Sequence, residues 1–179
     1  MHFITKLERI VHGWAKNVPH LPVEARKWLA ENVWWIAAIG AVLTAIGALF
    51  SLNGIFQSIA FLNTPTYALY FVNTSLASLA IVTGIVTLTF LVIEAVLLGL
   101  AVKPLQTQQK KGWVLLFTLW LATAVYIVVS AVLTLSFGGF IINILGGAIG
   151  LAVSGYFLFE IHSQFAHTVK TVKAADKKA

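Results

Sequence analysis

The chain has 179 residues, 59% hydrophobic and only 10% charged, with a mean hydropathy of +0.90. A soluble domain carries about 25% charged residues, and this sequence has too few polar side chains to clothe a water-exposed surface, so the bilayer is expected to be its solvent. Cysteine is absent, which excludes disulfides, thiolate nucleophiles and cysteine-held metals, and the net charge of +6 comes from twelve Lys and Arg against six Asp and Glu.

Residues 2–18, HFITKLERIVHGWAKNV, place Phe3, Leu7, Ile10, Trp14 and Val18 at helical spacing, with Lys6, Arg9 and Lys16 elsewhere on the wheel. This pattern predicts an amphipathic helix on the inner membrane face, with Lys6, Arg9 and Lys16 contacting anionic lipid head groups. Pro19 and Pro22 end it. A second helix is expected to start at Pro22 and to run through VEARKWLAEN into the first apolar run, since proline suits a first helical turn. The mixed sequence ahead of that run does not read as a cleavable signal, which has a short basic stretch and a short apolar core.

Four apolar runs follow, at about residues 33–51, 75–102, 113–136 and 140–160. Each approaches or exceeds the roughly 18–20 residues needed to cross about 30 Å of hydrocarbon as a helix. None alternates apolar with polar residues as a membrane strand would. Between the first two runs, Ile55, Phe56, Ile59 and Leu62 suggest a short helix lying in the outer interface. The organisation expected is an N-terminal interfacial segment (1–32), a transmembrane domain (33–161) and a basic tail (162–179). The fold class is thus an all-α membrane protein, a four-transmembrane-helix bundle with an N-terminal amphipathic interfacial helix.

The cations indicate its orientation. Lys6, Arg9, Lys16, Arg26 and Lys27 precede the first run, and Lys103, Lys110 and Lys111 lie between the second and third. Lys170, Lys173, Lys177 and Lys178 follow the fourth, while the two other loops hold none. By the positive-inside rule both termini are cytoplasmic, in a multi-pass protein of the plasma (inner) membrane. The basic balance therefore points to lipid, not nucleic acid. Trp34, Trp35 and Trp113 fall where an inner aromatic belt is expected.

Each run carries small or polar residues at steps of three and four, which aligns them along one helix side. They are Gly40, Thr44, Gly47 and Ser51; Ala80, Thr83, Thr87 and Glu94; Thr123, Tyr126, Ser130 and Thr134; and Asn143, Gly146, Gly150 and Ser154. Small residues allow the close backbone approach that holds helices together in lipid. Gly40, Gly47, Gly146 and Gly150 are accordingly expected at helix contacts, the last two in GxxxG register. Such a face packs equally well inside the bundle or against a second subunit.

Glu94 lies nine residues before Lys103, about 13 Å along a helix, and similar counting brings Thr123 and Ser154 to its depth. No Lys, Arg or His lies within any run to pair with it. Neutralising a carboxylate costs less than burying it charged. Glu94 is therefore expected to be protonated near neutral pH and to donate a hydrogen bond to a neighbouring hydroxyl or carbonyl. Together with Thr87, Thr123 and Ser154 it is a candidate proton or ion site, or an interhelical polar clasp. Glu160, His162, Gln164 and His167 read as a solvated helix end; no metal site and no cofactor are expected.

The sequence contains no CxxC, HExxH, GxSxG or phosphate-loop motif. The expectation is a non-enzymatic inner-membrane protein, a scaffold or a subunit of a membrane complex with a membrane-protein partner or further copies of itself. The alternative is a small oligomeric channel or a proton-coupled transporter using Glu94.

Overall fold

The computed structural model describes residues 19–63, 74–134 and 136–165, with side chains from 78 onward in the second stretch. The amphipathic helix expected at 2–18, with Lys6, Arg9 and Lys16, lies outside the described residues, as does most of the basic tail.

Among the described residues there are four α-helices: α1 (Val23–Leu62), α2 (Thr74–Gln106), α3 (Lys110–Leu133) and α4 (Phe137–Glu160). All four are long and apolar enough to cross a membrane. Successive helices are antiparallel, as the paired positions show. Gly40 faces Leu98 and Gly84 faces Ile55 between α1 and α2. Trp113 reaches Leu158, and Trp120 reaches Leu151, between α3 and α4. One end of the bundle therefore gathers the start of α1, the α2–α3 turn and the end of α4. Lys103, Lys110 and Lys111 mark it as the basic end. Among the described residues every Lys, Arg and Glu except Glu94 lies toward this end.

Local chemistry explains the boundaries. Pro22 caps α1, where its carbonyl accepts from Arg26 N at 3.1 Å and its missing N–H has no helical partner to lose. The α2–α3 turn is a Schellman cap. Gln108 adopts φ of 50°, Gln109 N donates to Pro104 O at 2.8 Å and Gln108 N to Leu105 O at 2.9 Å. The turn is tight enough that a Cβ on Gly112 would sit 2.7 Å from the Leu105 backbone nitrogen, so only glycine fits there. Ser136 caps α4 by accepting from Gly139 N at 3.1 Å.

The interfacial helix expected around Ile55–Leu62 is not separate. α1 continues through it as one element of 40 residues, about 60 Å long. The stretch after Ser51 contains no proline, and Ile55 stays on the side of α1 that Gly47 and Ser51 present to α2. Ser51 Oγ donates to Gly84 O at 3.3 Å, and Ile55 is buried over Gly84.

The buried core is concentrated at the basic end. Trp113, Phe117, Leu105, Ile161 and Phe165 are its largest fully enclosed side chains. Trp113 stacks on Phe117 with centroids 5.3 Å apart and meets Phe159 and His162 edge-on. Its Nε1–H donates to Leu158 O at 2.8 Å. Trp113 is thus a core residue with 0% exposure and does not stand in an interfacial belt, because its indole N–H finds a protein carbonyl instead of a head group. Outside this core the helices are apolar on all sides, and Leu43, Phe50, Ile142 and Ile149 are among the large residues that point outward. A wall of this kind is compatible with hydrocarbon.

The glycine faces divide in two. Gly40 and Gly47 face α2, with Leu98 Cδ1 at 3.3 Å and Leu91 at 3.9 Å from the Cβ positions. Gly146 and Gly150 pack against none of the other described residues, since none lies within 4 Å of either Cβ position. The α3 contact is made instead by Gly147, whose Cβ would collide with Ile127, and by Gly155, whose Cβ would lie 3.1 Å from Trp120. The GxxxG register is offset by one residue from the buried side of α4, and one residue is about 100° around a helix.

Candidate functional site

Two polar arrangements stand out within this apolar bundle. The first surrounds Glu94. A cavity of about 600 Å³ opens between the helices, lined by Leu29, Val33 and Ile36 of α1 and by Glu94 of α2. Leu116, Leu119, Trp120 and Thr123 of α3 and Ser154, Phe157 and Leu158 of α4 complete it, with Ile161 beyond. Its mouth is lateral. α1 packs along α2 but not along α4, and the lining residues that face outward, Ile36 and Phe157, each 43% exposed, flank the gap between α1 and α4. The basic-end core, with Leu158 and Ile161, forms its floor.

On the α2–α3 side of Glu94 lies a second space of about 40 Å³, bordered by Thr87, Phe90, Thr123 and Tyr126. That is room for about one water. Glu94 and Thr123 border both spaces, Ser154 only the larger and Thr87 only the smaller. Among the described residues Glu94 makes no hydrogen bond, and the hydroxyls that border the two spaces bond elsewhere. Thr123 Oγ1 donates to Leu119 O at 3.0 Å and Ser154 Oγ to Gly150 O at 2.7 Å. Thr87 Oγ1 and Tyr126 Oη pair with each other at 3.2 Å. Helical Ser and Thr close readily on the carbonyl four residues back. The carboxyl borders both spaces, and among the described residues no Lys, Arg or His lines either.

The second arrangement is centred on Glu160. Expected as part of a solvated helix end, it is instead buried, with 7% exposure. His20 Nδ1 lies 2.6 Å from Oε1, Leu21 N donates to Oε2 at 3.1 Å, and Arg26 Nε is 3.7 Å from Oε2. Tyr156 Oη adds a bond to Pro19 O at 2.8 Å. The last turn of α4 thus clasps the segment leading into α1, and this clasp joins the first and last helices where they otherwise leave the cavity mouth open. The only sequence signal was electrostatic: an acid in the last turn of a helix opposes the macrodipole and needs a partner to be retained there. That the partner is the chain 140 residues away could not be read from spacing.

Among the described residues no three His, Cys, Asp or Glu side chains converge as a metal site. All-helical, with four spans long and apolar enough for a bilayer, the fold is compatible with the class of helical membrane bundles. Compared with known proteins, the chain matches no family model, no curated protein and no solved structure.

Proposed function

We propose that the chain is a non-enzymatic integral protein of the plasma (inner) membrane, acting as a scaffold or as a subunit of a larger membrane assembly. The observation that carries this reading is the outward side of α4. There Gly146 and Gly150 leave open space among the described residues. A lipid-facing helix gains nothing from missing side chains, whereas a second helix uses them for close approach. The partner is a further copy or another membrane protein. The termini and the 103–109 loop lie on the cytoplasmic side in this reading, supported by the collection of cations at one end of the bundle. Lys6, Arg9 and Lys16 contact anionic head groups there.

The test is the mass of the assembly extracted from its native membrane into nanodiscs. The expected result is a complex larger than one chain that Gly146→Leu with Gly150→Leu reduces to a folded monomer. A native chain that is monomeric, or a complex indifferent to both substitutions, refutes the proposal.

A second reading, an oligomeric channel or proton-coupled transporter, is favoured by the placement of Glu94 at a cavity. Against it, the polar track beyond Glu94 is closed by the Thr87–Tyr126 pair and by Phe90, whose ring lies 4.9 Å from that of Tyr126. Flux in the reconstituted protein that is lost in Glu94→Gln would make this the better reading.

A further inference from the structure

We propose that the lateral cavity is a binding site for a lipophilic amine, whose ammonium group pairs with Glu94 while its hydrocarbon body fills the apolar space below. Three observations converge. A volume of about 600 Å³ is within the range of small-molecule sites, roughly 300–1,000 Å³, which are likewise mostly apolar with a few placed polar groups. The mouth between α1 and α4 opens toward the surroundings of the bundle, so a membrane-dissolved molecule enters without crossing water. Among the described residues the Glu94 carboxyl has no protein partner, and the lining that they contribute from all four helices includes no cation.

The chemistry of the lining selects the class. Thr123 and Ser154 spend their hydrogens on their own helices, so neither is left to donate to the Glu94 carboxyl. A carboxylate in such surroundings is stabilised by an opposite charge at hydrogen-bond distance. Trp120 strengthens the site for a cation. Its ring is held by the Nε1–H bond to Leu151 O at 2.9 Å and by stacking on Phe117, and it lines the cavity, where an indole attracts ammonium groups. A zwitterionic phospholipid headgroup is disfavoured, because it carries a phosphate beside its amine and the described residues that line the cavity include no Lys, Arg or His to receive it.

The probe is radiolabelled dodecylamine, titrated onto the full chain in phosphatidylcholine nanodiscs, with empty nanodiscs subtracting simple partition. The expected result is saturable uptake at a single class of site. Dodecanol should bind about tenfold or more weakly, as should dodecylamine to Glu94→Gln, since a charge-assisted bond is roughly twice as strong as a neutral one. Ser154→Phe, which fills the mouth, should remove binding of both probes while helix content is unchanged. The proposal is overturned if the native chain takes up no amine beyond partition, or if amine and alcohol bind equally. It is also overturned if Glu94→Gln binds the amine as the native chain does. Displacement of dodecylamine by phosphatidylethanolamine as effectively as by unlabelled dodecylamine would likewise overturn it, by making a lipid headgroup the occupant.

Discussion

Replacing adjacent glycines of α4 by alanine separates the packing side of that helix from its open side. Gly146→Ala and Gly147→Ala both remove a flexible residue from a helix interior, a gain of about 1 kcal/mol that is common to the two. The difference between them isolates the contact made by the new methyl. At Gly146 nothing lies within 4 Å, whereas at Gly147 the Cβ would collide with Ile127, with Cδ1 and Cγ1 at 2.8 Å. Ile127 is β-branched and stiff about χ1, so it cannot simply swing aside. Overpacking of this kind costs about 1–3 kcal/mol. Gly147→Ala should therefore be less stable than Gly146→Ala by about that amount. The net change from the native chain should run from near zero to about −2 kcal/mol, while Gly146→Ala is neutral or stabilised. The assay is reversible unfolding of monomeric protein in mixed micelles, with monomer mass confirmed so that subunit contacts do not enter. Gly146→Ala proving equal to or less stable than Gly147→Ala would refute the assigned face of α4.

Further outcomes follow from the same contacts. Glu160→Gln should weaken the clasp on Pro19–Arg26 by about 1.5–3 kcal/mol, the range for a hydrogen bond to a charged group. Hydrogen exchange should then quicken at Leu21 and the first turn of α1 while α2 and α3 are unchanged; unchanged exchange at Leu21 counts against the clasp. Trp113→Phe should cost about 1–3 kcal/mol, because the Leu158 carbonyl is left buried without its donor; unfolding in mixed micelles checks it, and a neutral result removes the bond from the account. Since the chain has no cysteine, single substitutions Asn63→Cys and Gln109→Cys can be labelled in intact cells with an impermeant maleimide. The former should react from outside and the latter only after permeabilisation; the reverse pattern overturns the orientation proposed from the cations.

Much of the fold was legible because hydrocarbon is a strict solvent. It demands helices with their backbone bonds satisfied internally, and apolar runs of sufficient length announce them. The packing faces were legible only in part. Gly40 and Gly47 lie against α2, a partner that their spacing did not name, while the GxxxG spacing of α4 singled out Gly146 and Gly150, which the described residues leave open. Spacing reports which residues share a side of a helix but not which side is turned inward. Glu160 was hidden for a related reason: its partners His20, Leu21 and Arg26 are remote in sequence.

Composition and apolar run length alone determined the helical class, the number of long apolar helices and the exceptional place of Glu94, because transfer from water to hydrocarbon is a property of each residue and needs no partner. Tertiary structure alone decided the rest. It continued α1 past the expected interfacial break, turned Gly147 and Gly155 toward α3, buried Trp113 and Glu160, and left a cavity open beside Glu94. Those outcomes depend on the rotation and offset of one helix against another. They are set by which side chains interlock across the gap, and no single helix carries that information.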